Sequence, residues 1–83
     1  MAENRYPEFD NTQKSIEIGY NIAYYRKYTG LTQEQLAERV GISRQHIGAI
    51  EAPNLCRPIS LDLLFNIAAV LNVEPAKLLT FRE

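Results

Sequence analysis

The stretch Thr32–Glu51, "TQEQLAERVGISRQHIGAIE", decides how this chain folds. Thr32 is a good helix N-cap, and Gln35, three residues on, completes a capping box in which side chains and backbone satisfy each other's unpaired groups. Leu36, Ala37 and Val40 recur at helical spacing and give the predicted helix one buried face. Gly41 ends it, because a positive φ is cheap only without a Cβ. Ser43 then caps a second short helix whose inner face is Ile47 and Ile50. Only Gly41 and Ile42 turn the corner, so the two helices must pack directly against one another. With Gln33 counted as first, Ala37 is fifth, Gly41 ninth, Ile47 fifteenth and Ile50 eighteenth. Ala37 stands where the helices would press closest, and there a methyl fits where a larger group would push them apart. Ile47 and Ile50 fill the angle between the helices, opposite Leu36 and Val40.

The flanks read the same way. Asn11 or Thr12 caps a first helix that runs to about Thr29. Ile18, Ile22, Tyr25 and Thr29 form its inner stripe, and Ile16, Tyr20, Tyr24 and Tyr28 a second, more exposed one. Gly30 stops that helix. After Glu51 comes a loop with two prolines, "APNLCRP". Ser60 caps a fourth helix with Asp62 favourable in its first turn. Its apolar face is Leu61, Leu64, Ile67, Ala68 and Leu71. "NVEP" is a short turn, and Pro75 opens a last helix, "PAKLL". Nothing reads as a strand. The predicted fold is all-α, with five short helices in one domain over residues 12–83 behind a flexible leader over residues 1–11.

Composition narrows the function. At 83 residues the chain fits one small domain, which is marginal unless its helices pack efficiently or associate. No apolar run approaches the roughly 18 residues of a membrane helix, and "MAENRYPEFDNTQ" lacks the apolar segment of a signal peptide. A single cysteine, Cys56, and a single histidine, His46, make a disulfide framework or a protein-only metal site untenable, and a reducing, cytoplasmic setting is the default. A pairing of Cys56 with His46 as a nucleophile lacks any orienting third group, so no catalytic residue is assigned. Only Arg57 stands near Cys56 to lower its pKa, which gives a redox role no support. No cofactor or small-molecule ligand is expected. The net charge of −1 argues against a strongly basic, non-specific nucleic-acid binder. The acid lies mostly at the ends: Glu3, Glu8 and Asp10 against Arg5 at the start, but Lys14, Arg26 and Lys27 against Glu17 in the first helix.

With the apolar residues turned inward, Arg44, Gln45, His46 and Ala49 are left on the outer side or rim of the third helix. The polar side chains among them, Arg44 and Gln45 above all, have two readings. One is an ordinary solvated face, and His46 alone is most simply a surface histidine. The other is base recognition: arginine bonds guanine and glutamine adenine through paired contacts, and an α-helix fits the DNA major groove. A tight corner lets one helix cross the backbone while the next enters the groove.

From "IGYNIAYYRKYTGLTQEQLAERVGISRQHIGAIE" through "SLDLLFNIAAVLNVEPAKLL", roughly Ile18 to Leu79, the chain resembles the lambda-repressor-like (Cro-type, XRE) helix-turn-helix transcriptional regulators. The composite of "GLTQEQLAERVGIS", "IGAIE" and "LFNIAAVLNV" is specific where any piece alone is weak. The resemblance implies a DNA-binding set. Gln33 matches a phosphate-touching glutamine that supports a neighbouring recognition side chain. Arg44 and Gln45 match the two main base-reading positions, while Ser43 and His46 match positions that contact phosphate or base edges. Ala49 matches a groove-facing site able to touch a thymine methyl. The loop of Asn54, Leu55, Cys56 and Arg57 matches a backbone-clasping loop, with Arg57 its one cation. Arg26 and Glu51 match a structural salt bridge between the first helix and the end of the third. The chain departs from the family after Glu51, where "APNLC" replaces a glycine and several lysines. Fewer phosphate-neutralising charges imply weak non-specific binding and a shallow salt dependence.

The resulting expectation is a cytoplasmic transcriptional regulator that binds double-stranded DNA, most simply a repressor acting as a homodimer on an inverted-repeat operator. Tyr20, Tyr24 and Tyr28, or Leu78, Leu79 and Phe81, would supply the dimer contact, or else cap the core. A chain this short is expected to have no separate effector domain. The rival reading is a protein-interaction module of the same fold, an antitoxin or antirepressor-like partner with DNA binding secondary. A third, a recognition domain detached from a larger enzyme, sits poorly with a chain that reads as complete.

Overall fold

The computed structural model describes residues 9–55 and 58–81. Among them lie five helices and no strand: α1 (Thr12–Thr29), α2 (Gln33–Val40), α3 (Arg44–Glu51), α4 (Leu61–Leu71) and α5 (Pro75–Leu78). Most of the leader, Cys56 and Arg57 lie outside the described residues. No helix among the described residues is long and apolar enough to cross a membrane.

Local chemistry sets the helix boundaries. Thr32 Oγ1 accepts from the Gln35 N–H at 3.0 Å, and Gln35 Oε1 accepts from the Thr32 N–H at 2.9 Å, which closes the capping box. Ser43 and Ser60 accept from the N–H groups of His46 and Leu63 at 3.0 and 3.1 Å and start α3 and α4. Gly30 and Gly41 end α1 and α2 in the left-handed region, at φ 83° and 91°. At Gly41 the turned backbone sends two N–H groups, its own and that of Ile42, onto the Ala37 carbonyl. Asn72 ends α4 at φ 58° without being glycine, a conformation asparagine tolerates better than most residues. The start of α1 differs from the sequence reading. Asn11 occupies the cap position but makes no side-chain cap bond. Asp10 does that work, accepting the Thr12 N–H at 3.0 Å, and this bond holds its carboxyl below the ordinary carboxylate range.

The core draws on every helix. Ile22, Leu36, Ile47, Leu64, Ile67 and Leu78 are fully buried, and each contributes roughly 1.5–3 kcal/mol relative to exposure. Leu31, in the corner between α1 and α2, joins them, with Ile18, Tyr25, Val40 and Val73 packed around the edge. Three expectations change. Leu78 is core, so it is no part of a surface patch, although Leu79 beside it is exposed. Thr29 is exposed and bonds back to the Tyr25 carbonyl. Leu61 is 65% exposed despite its helical register with the core residues. It stands at the first position of α4, where the helix has not yet reached the cover of its neighbours.

Two residues of α1 lock the bundle in ways the apolar pattern does not announce. Asn21 is buried, and its Nδ2 donates to the carbonyls of Leu78 and Thr80, each at 3.0 Å, tying α1 to the end of α5. Gly19 is buried against α3, and a Cβ built there would overlap the carbonyl oxygen of Ile50. The two backbones meet at this point, so Gly19→Ala should destabilise the fold by about 1–3 kcal/mol through overpacking. That outcome would oppose the roughly 1 kcal/mol that alanine gains in helix propensity, and the urea midpoint of the variant decides between them.

Candidate nucleic-acid interface

An eight-residue helix covered on two sides has little surface left to offer. α3 packs against both α1 and α2, and Ile47, Ala49 and Ile50 are buried. Arg44 and Gln45 are exposed in its first turn, His46 is half-buried, and Ser43 is exposed just ahead of them. The Ser43 oxygen is engaged as the helix cap, which leaves its O–H able to donate to a phosphate. Ala49, expected on the outer side or rim of the third helix, lies deeper than that. It is only 8% exposed, because a methyl one turn beyond Gln45 does not reach out of the angle formed by the packed helices. The outward arc of α3 therefore consists of its first turn and the half-buried Gly48. Asn54 is exposed in the turn after α3. Arg57, the other contact assigned to that loop, lies outside the described residues.

Behind this arc lies a connected polar frame. Arg26 Nε donates to Glu51 Oε2 at 2.7 Å and Nη2 to Oε1 at 3.0 Å, a two-pronged ion pair. The two side chains are only 9% and 6% exposed. Arg26 Nη1 donates to the Leu31 carbonyl at 2.7 Å, which pins the corner from which α2 departs. Gln33, the first residue of α2, donates its Nε2 to Glu51 Oε1 at 3.0 Å. One carboxylate thus gathers α1, α2 and the end of α3. Among the described residues no group of three or more His, Cys, Asp or Glu side chains is arranged to hold a metal ion.

Two short helices at a three-residue corner, Gly41 to Ser43, capped at both starts, with arginine and glutamine exposed on the second, define a helix-turn-helix unit. The helix-turn-helix family model matches residues 22–78, and the chain belongs to this family, that of the XRE-type regulators. These proteins are transcriptional regulators rather than enzymes. The chain is 42% identical over 63 residues to the control protein C.SmaI of Serratia marcescens, an alignment covering 76% of this chain and 73% of that protein. It is 37% identical over 62 residues to the HTH-type transcriptional regulator SinR of Bacillus subtilis, which covers 75% of this chain but only 55% of SinR. Among solved structures, the restriction-modification controller protein C.AhdI from Aeromonas hydrophila matches at a TM-score of 0.77 with 30% identity, over 84% of this chain and 99% of that one. SinR in complex with DNA matches at 0.70 with 36% identity, over 76% and 98%.

The ion pair yields a stability prediction. Glu51→Ala strands the Arg26 guanidinium in a buried site and should cost about 3–5 kcal/mol. Replacing both partners together with apolar residues of similar volume should cost far less, since no orphaned charge remains. Denaturant unfolding of the single and double variants measures the difference.

Proposed function

We propose that this protein is a sequence-specific double-stranded DNA-binding transcriptional regulator, a cytoplasmic repressor acting as a homodimer on an inverted-repeat operator. The observation that carries the reading is the exposure of Arg44 and Gln45 on the first turn of α3, while everything behind them is fixed. Exposed polar residues need no special purpose. Here they crown a short helix whose remaining faces are committed to the frame, which is the arrangement that major-groove reading requires. Gln33, Ser43 and His46 flank them as phosphate or base-edge contacts, and Asn54 would hold the backbone on the far side. Arg57 keeps the phosphate role that the sequence resemblance gives it.

The homodimer follows from base counting. One such unit reads too few base pairs for a discriminating site, and a two-fold partner one helical turn away doubles the number. Large apolar side chains are available for that contact. Leu61 and Phe65 are exposed one turn apart on α4, and Leu79 is exposed after α5. Tyr20, Tyr24 and Tyr28 line the outer stripe of α1, with the rings of Tyr24 and Tyr28 stacked at 6.4 Å. That second stripe is what favours the rival reading, a protein partner in place of an operator.

Selection from a randomised duplex library at two salt concentrations tests the reading. The expected result is enrichment of an inverted repeat with half-sites about one helical turn, roughly 34 Å, apart. Enrichment of nothing, with binding that vanishes at moderate salt, would give the function to a protein partner. On the selected duplex, Arg44→Ala should cost about 1–3 kcal/mol and relax base preference at one position. Arg57→Ala should instead weaken all sequences alike and flatten the salt dependence. Competition binding against single-base variants of the duplex separates the two effects.

A further inference from the structure

One hydrogen bond of the polar frame is required neither by the core nor by the ion pair: Gln33 Nε2 donates to Glu51 Oε1 at 3.0 Å. A glutamine amide has two ends of opposite character, an acceptor oxygen and a donor NH2. A DNA phosphate accepts and does not donate, so only the nitrogen end can serve it. Glu51 is itself acceptor-only when ionised and therefore takes the nitrogen end and excludes the oxygen. One N–H of Gln33 is spent on Glu51 and the second stays beside it. The oxygen turns toward Gly48, where even an added Cβ would sit in ordinary contact at 3.7 Å, so Gly48 does not crowd the amide. Arg26 completes the device. Its two-pronged pairing with Glu51 offsets a carboxylate charge that would otherwise repel an approaching phosphate.

We propose that Glu51, held by Arg26, is a positioning residue for DNA recognition: it fixes the Gln33 amide so that the free Nε2–H is presented to a phosphate. This rests on the DNA-binding reading above. The ion pair then has a second role besides architecture, because the buried charge that joins α1 to α3 also sets the direction of a surface donor on α2. Orientation before binding removes the cost of ordering the side chain on contact.

The test is a double-mutant cycle on the duplex enriched by the selection. Glu51→Gln keeps the shape of the side chain and removes the charge that discriminates between the two ends of the amide. Because it strands Arg26, the paired variant Arg26→Met/Glu51→Gln is measured alongside, with the folded fraction of each variant read by circular dichroism. With Gln33 present, the paired variant should bind about tenfold more weakly, the order of one hydrogen bond to a charged group. With Gln33→Ala in place, the same change should cost nothing further. A neutral methylphosphonate at the contacted phosphate should abolish the difference in the same way. A purely architectural ion pair would weaken binding equally in both backgrounds and at every phosphate, and that result overturns the proposal. So does a Gln33→Ala variant that binds as wild type, which leaves no contact to position while the DNA reading stands on Arg44. A wild-type chain that enriches no duplex overturns the DNA reading and this proposal with it.

Discussion

The carboxylate of Glu51 is the point on which the helix-turn-helix depends. It sits at the C-terminal end of α3, where the helix dipole disfavours a negative charge by about 0.3–1 kcal/mol. The Arg26 fork more than offsets this, and Arg26 itself stands in the last turn of α1, where a cation is favoured. Burying such a pair is still costly in desolvation, and well-packed apolar residues would hold the helices together at least as well. The gain is geometric. The bonds to Glu51 Oε1, Glu51 Oε2 and the Leu31 carbonyl form together in only one arrangement of α1, the corner, α2 and α3. A greasy interface could slide by a fraction of a turn, whereas this one has a single register.

The same division of labour runs through the molecule. Gly19 lets α1 and α3 touch backbone to backbone, and Asn21 ties α1 to the chain beyond α5 with two hydrogen bonds. Three faces of α1 are thereby committed: Gly19 toward α3, Asn21 toward α5, and Ile22 into the core. What remains is the tyrosine stripe. α3 is committed in the same fashion, so the side chains that could read DNA are confined to one turn. Those side chains contribute little to stability, and the fold does not dictate their identity. A different pair at positions 44 and 45 would sit on the same scaffold.

This division also explains which features were legible in the sequence. The caps at Thr32, Ser43 and Ser60 and the turn at Gly41 are local, each decided by residues within four positions, and the structure forms all of them. The buried faces of α2 and α3 follow from apolar spacing for the same reason. Gly19 and Asn21 were missed because their purpose lies 31 and 57 residues away, at Ile50 and Leu78; glycine and asparagine inside a helix carry no period that points to a partner. Leu61 and Ala49 show the converse error. Period gives the direction in which a side chain points, not whether a neighbouring helix extends far enough to cover it. At Leu61 the cover stops short, and at Ala49 it extends past the expected edge. Arg26 could not have been placed inside by composition or spacing. Only its resemblance to a known pattern suggested it.

The electrostatics of the whole chain follow from the frame. Arg26 is one of nine cations against ten acidic residues, and it is spent internally on one of those acids. The charges outside the frame, eight cations against nine acidic residues, keep the chain's slight overall excess of acid. A regulator that neutralises few phosphates releases few counterions, so its non-specific affinity is low and only weakly salt-dependent. The discrimination that matters in a genome is the ratio of specific to non-specific binding. Lowering the denominator improves that ratio without any added base contact. Under the proposed reading, two recognition helices on one symmetric site can then suffice, because each need contribute only a few oriented contacts above a small background. Orientation becomes the limiting quantity, and a buried carboxylate that fixes three elements at once is a physically economical way to supply it.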